Sequence, residues 1–147
     1  LNSFLSLQQG GNQNLQVNHL DMLSTKINIE AARAFQKKKR LDRQAELGLK
    51  HRDALYDFQQ IVDMIVKKYK PKRIYQWGSL LNKEHFSELS DIDIAVEGLP
   101  DAQSYFNMLA DAEKLTSFPL DIVEMESIHE LHKNMIIQKG VLVYERK

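Results

Sequence analysis

The chain has 147 residues, 20 Lys+Arg against 20 Asp+Glu, 43% hydrophobic residues and no cysteine. That is the length of one medium domain, or of a small domain with an appendage, and it leaves no room for disulfides or thiolate metal sites. No run of about eighteen apolar residues offers a membrane span, and residues 1–5 lack the basic segment and long apolar core of a signal peptide. The expectation is a cytoplasmic protein without membrane contact. The zero net charge hides an uneven distribution. Residues 1–73 hold 14 basic and 7 acidic side chains, and residues 74–147 hold 6 and 13. The plain reading of the basic half is a solvated helical surface. The alternatives are a face for an acidic partner, for nucleic acid, or for the other half of a dimer.

In chain order, residues 1–20 are rich in Gln, Asn and Gly and read as an irregular arm. Residues 21–70 read as helical. Ser24 is a candidate N-cap for a helix over residues 25–47, built from good helix formers. Its apolar stripe is thin (Ala31, Ala34, Phe35, Leu41, Ala45), so the helix needs another chain or domain to pack on. Gly48 breaks or weakens it. A strongly amphipathic segment follows over residues 53–69, with Leu55, Phe58, Ile61, Val62, Ile65, Val66 and Tyr69 at three- and four-residue spacing. Pro71 ends it.

From residue 71 onward the pattern alternates, and residues 71–147 read as a second domain. Strands are expected over 73–77, from 89 or 90 to 97, and over 119–125. Helices are expected over 101–115 and from a Ser127 cap to about residue 138. Gly140 reads as a helix stop, and residues 141–144 as a short final strand on a sheet edge. No internal repeat is present.

The chemistry concentrates in two short stretches. Ile74-Tyr75-Gln76-Trp77 runs into Gly78-Ser79, and Asp91-Ile92-Asp93-Ile94-Ala95-Val96 follows a polar loop. Side chains two apart on a strand share a face, so Asp91 and Asp93 stand side by side. Two adjacent carboxylates repel unless a proton or cation lies between them. A hard divalent ion, Mg²⁺ or Mn²⁺, suits an all-oxygen donor set. Asp121, between Leu120 and Ile122 on the next strand, is a third candidate.

Gly-Ser, a gap, Asp-hydrophobic-Asp and a later strand Asp resemble the signature of the DNA polymerase β superfamily of nucleotidyltransferases. The resemblance covers about residues 71–147, and the small size is similar to the minimal nucleotidyltransferase branch, whose members include antitoxins paired with HEPN-type toxins. It implies an α/β (α+β) fold in which a short mixed sheet carries the aspartates, with helices on one face and an N-terminal helical arm in front. It also implies transfer of a nucleoside monophosphate, AMP from ATP, to an acceptor such as a partner toxin. Two Mg²⁺ or Mn²⁺ ions would be held by Asp91, Asp93 and Asp121, with Asp121 nearest the attacking hydroxyl. Gly78 and Ser79 would serve the triphosphate through a turn that lets backbone N–H groups approach. The usual Arg soon after Gly-Ser is replaced by Leu80-Leu81, and Lys83 is the nearby cation that takes over phosphate contact.

Other readings stand beside this one. The protein could act by occupancy, as a nucleotide- or partner-binding module without turnover. An RNA-binding module is the lesser alternative, because Lys37-Lys38-Lys39-Arg40 lacks the interleaved aromatics of base stacking. Trp77 reads as core rather than as a nucleobase platform, and Glu97, Glu124, His129 and His132 as surface residues. The thin-striped N-terminal helix reads as a homo-oligomer or partner element.

Overall fold

The computed structural model describes residues 11–147, and their side chains from residue 19 onward. The elements are α1 (Gly11–Tyr69), β1 (Arg73–Trp77), a 3₁₀ turn (Ser79–Leu81), β2 (Ile92–Glu97), α2 (Ala102–Glu113), β3 (Leu120–Glu124), α3 (Glu130–Lys139) and β4 (Val141–Glu145). Two compact units divide at residues 44 and 45.

In the first unit, residues 1–10 of the expected irregular arm lie outside the described residues, and the remainder of that arm is helical. No proline and no glycine follow Gly11 there, so the polar residues each forfeit only a few tenths of a kcal/mol of helix propensity. Ser24 sits inside the helix rather than capping it. Every described side chain of this unit is exposed, Phe35 and Ile27 included. Among the described residues nothing covers the thin stripe.

The second unit, from Ala45, starts with the last part of α1. Gly48 does not interrupt the helix. An interior glycine costs about 1 kcal/mol relative to alanine, which the flanking helix formers and the packed segment beyond it offset. The buried stripe is Ala54, Phe58, Ile61, Val62 and Ile65. Leu55, expected in the stripe, is exposed, and Ala54 takes its place one position earlier. The helix ends in Lys70, whose φ of 50° turns the chain so that its N–H reaches the Ile65 carbonyl at 3.2 Å. Pro71, fully buried, prevents continuation.

The sheet has the order β3-β2-β1-β4. β1 is antiparallel to β2 and to β4, while β2 and β3 run parallel. A parallel pair requires a crossover, and α2 supplies it. Asp101 caps α2 by accepting the Ser104 N–H at 2.7 Å. Burial alternates along the strands and defines two faces. Ile74, Ile92, Ile94, Val96 and Ile122 join α1 together with Met108 and Ala112 of α2. Tyr75, Ala95 and Met125 join Ile136 of α3, with Trp77, Val123 and Ile128 alongside. Helices thus cover both faces, which corrects the expectation of one. The second face escaped the sequence reading because Ile136 is the only buried residue of α3, too little to make a periodic stripe.

Two cap assignments also change. α3 is capped by His129, whose Nδ1 accepts the Leu131 N–H at 3.2 Å, and not by Ser127. Gly140 ends α3 with φ −81°, so its glycine is demanded by space rather than by handedness. A Cβ there would stand 2.5 Å from the Ile136 carbonyl oxygen and 2.8 Å from that of Gln76. β4 lies on the sheet edge, as expected.

Candidate active site

The strand register lines up one row across the sheet: Trp77 of β1 opposite Asp93 of β2, and Asp93 opposite Asp121 of β3. By alternation this row lies on the α3 face, one step along from Tyr75, Ala95 and Val123. Hydrogen-bonded strands are about 4.8 Å apart, so parallel pairing sets the Asp93 and Asp121 carboxylates beside each other. Asp91 stands just ahead of β2 rather than within it, and its charge still reaches Asp93.

The electrostatic consequence falls on Asp93. Its carboxyl is pushed up to about 7, first by burial, then by the negative charge of Asp121, then by that of Asp91. Asp121 is exposed and Asp91 is half-buried. The central carboxyl therefore keeps a proton to higher pH than an ordinary aspartate, because burial and two neighbouring negative charges oppose its ionisation.

Gly78 explains why the turn needs glycine. Its φ of 79° lies in the left-handed region, and a Cβ built on it would fall inside the Asp93 carboxylate. The glycine therefore permits both the turn and the close seat of Asp93 against it. Ser79 donates from Oγ to Ser90 Oγ at 2.9 Å, and the Ser87 N–H donates to the same Ser90 oxygen at 2.8 Å. Ser90 is buried and pins both ends of the loop, a larger part than its sequence position suggested. Leu80, which stands where a cation was expected, is an almost fully buried member of the core shared with α1. The Lys83 side chain lies beside Gly48, 3.5 Å from where a Cβ there would be.

Trp77 is partly buried in the second core cluster, its ring edge-on to His132 at 5.0 Å. Two contributors went unread in the sequence. Tyr105 of α2 is one, its hydroxyl donating to the Ile122 carbonyl at 2.8 Å beside Asp121. His51 of α1 is the other, its Nε2 lying 3.0 Å from the Leu80 carbonyl oxygen. His51 could have been found by extending the α1 stripe back one turn from Ala54 and Phe58.

Among the described residues, no three His, Cys, Asp or Glu side chains form a grouping able to hold a metal ion. The donor chemistry nevertheless fits a hard cation. Asp93 and Asp121 are paired across β2 and β3, the charge of Asp91 reaches Asp93, and carboxylate oxygens are the donors a hard cation takes.

A mixed sheet with a Gly-Ser turn at the end of β1 and facing aspartates on β2 and β3 is a nucleotidyltransferase arrangement. The family described as polymerase beta, nucleotidyltransferase matches residues 59–147, and the chain belongs to it. No curated protein matches the sequence. Among solved structures, a mutant of the toxin–antitoxin pair MntA-HpeT is similar at 17% identity and a TM-score of 0.51, over 61% of this chain and 74% of that one. A toxin–antitoxin complex with AMP-PNP is similar at 20% identity and a TM-score of 0.49, over 60% and 73%. A tri-AMPylated HEPN toxin in complex with its MNT antitoxin, from Shewanella oneidensis, is similar at 18% identity and a TM-score of 0.48, over 63% and 73%. No helix of the described residues is long and apolar enough to cross a membrane.

Proposed function

We propose that this nucleotidyltransferase domain moves AMP from ATP to a hydroxyl group of a partner protein, of the HEPN toxin type, and so acts as an antitoxin. The observation that carries the chemistry is the row of Asp93 and Asp121 beside Asp91, seated against Gly78. The antitoxin part rests on likeness to the MntA-HpeT fold.

Asp91, Asp93 and Asp121 would hold Mg²⁺ or Mn²⁺, two ions in the full site. Bound there, the ions would neutralise phosphate charge and make the acceptor hydroxyl more acidic. The chain's own groups do the remainder. Asp121, the exposed member, accepts the proton of the acceptor hydroxyl as its oxygen bonds to the α-phosphorus. The bond from that phosphorus to the bridging oxygen breaks, and pyrophosphate leaves. Backbone N–H groups of the Gly78-Ser79 turn bind the triphosphate. The Ser79 hydroxyl joins them by giving up Ser90, and Lys83 by swinging from its place beside Gly48.

The test is transfer of label from α-³²P-ATP, with Mg²⁺ or Mn²⁺, to the candidate partner, to lysate protein and to total RNA, with Asp93→Asn as control. Label on one protein acceptor that disappears with Asp93→Asn is the expected result. Label on RNA alone would replace the protein acceptor. Nucleotide binding without transfer to any acceptor would favour a module acting by occupancy.

The exposed apolar residues of α1, Leu20, Leu23, Ile27, Phe35 and Leu41, are proposed to be covered by a second copy of the chain. Helices in proteins draw most of their stability from packing an apolar face, which a second copy would supply here. Sedimentation velocity is expected to show a dimer or larger assembly, reduced to monomer by Ile27→Glu with Leu41→Glu. A monomeric parent protein would exclude this.

A further inference from the structure

We propose that His51 is a positioning residue for nucleotide binding, holding the Gly78-Ser79 turn in the form that receives a triphosphate. The inference rests on the nucleotidyltransferase reading above. His51 belongs to α1, 29 residues before the Leu80 carbonyl that it meets at 3.0 Å, and it is buried. A carbonyl oxygen only accepts, so Nε2 carries the proton and donates. The same ring lies edge-on to Phe86, 5.1 Å between centroids and 73° between planes. One side chain thus fixes the loop at both its start and its end.

The loop needs this external hold. The turn bonds next to Gly78 are long, Leu81 N–H to the Gly78 carbonyl at 3.4 Å and Asn82 N–H to the Ser79 carbonyl at 3.3 Å, beyond the usual range, whereas His85 N–H reaches the Asn82 carbonyl at an ordinary 2.9 Å further along. Gly78, free to take φ of either sign, does not by itself fix the turn in one form. Buried polar side chains are few among the described residues: His51, Gln76 and Ser90. Two of these three bond to this one loop. The rest of the α1 stripe in this region is apolar, and an apolar residue at position 51 would fill the core without a polar group to satisfy. What the histidine adds is a directed donor two residues past Gly78.

His51→Phe keeps an aromatic ring against Phe86 and removes the donor. His51→Gln keeps a donor and removes the ring. Affinity for ATP with Mg²⁺ is read by titration calorimetry, and loop order by hydrogen exchange of the residue 79–86 amides in the free protein. Loss of one buried hydrogen bond of this kind is worth about a factor of ten. His51→Phe is expected to weaken ATP binding about that much and to speed exchange in the loop, with exchange in β2 and β3 unchanged. His51→Gln is expected to recover most of both. Unchanged affinity and exchange in His51→Phe would overturn the assignment, as would equal losses in both variants. If the parent protein does not bind ATP, the functional reading falls instead, and the exchange experiment alone decides whether His51 orders the loop.

Discussion

Replacing Asp93 by asparagine is expected to abolish nucleotidyl transfer and, without divalent ions, to make the protein more stable. The two effects have one cause. Asp93 is half-buried between Asp121 and Asp91, and its carboxyl is raised to about 7. Raising the carboxyl from its ordinary value to about 7 corresponds to about 4 kcal/mol if fully realised. Solvent screening of a half-exposed group reduces this to about 1–2 kcal/mol. Asparagine removes that repulsion along with the central ligand. Loss of transfer should reach at least a hundredfold, because charge neutralisation at such sites is worth several kcal/mol.

The pH dependence follows from the direction of the shift. Between the unfolded value near 4 and the folded value near 7, the folded protein keeps a proton that the unfolded chain releases. Stability of the ion-free protein therefore falls as pH rises through this window and levels off above it. Urea denaturation of parent and variant at several pH values, with chelator present, isolates the contribution as their difference. That difference should grow from about pH 4 to pH 7. Equal slopes for the two proteins would remove Asp93 as the strained group. Adding Mg²⁺ at pH 7.5 should stabilise the parent and leave Asp93→Asn nearly unaffected.

Gly78→Ala is expected to cost about 3 kcal/mol or more and to eliminate transfer. The left-handed φ alone costs a non-glycine residue about 1–2 kcal/mol. The new Cβ would then overlap the Asp93 carboxylate, forcing either the turn or the strand to move. Combining Gly78→Ala with Asp93→Ala separates the two contributions, since the second change relieves the overlap and leaves the φ cost. Coupling above about 1 kcal/mol is expected for residues in such contact. Additive losses would mean that the turn and the carboxylate do not touch.

The sequence by itself determined the order and type of the elements after residue 71 and pointed to the residues proposed to bear the chemistry. β1 was legible at its observed limits and the other strands to within a few residues, because period-two burial is a local pattern. Gly78, Asp93 and Asp121 were legible because a turn glycine and strand carboxylates are local signals too. Tertiary structure decided what those residues meet. The Trp77–Asp93–Asp121 row depends on register between strands far apart in sequence. The seat of Asp93 on Gly78 depends on the β1–β2 pairing. Leu80 and His51 gained their parts only when α1 packed against the loop, and α3 covers the carboxylate face through one buried isoleucine. Hydrogen bonds and contacts across tens of residues leave no periodic trace in the chain, so these features arose only from packing.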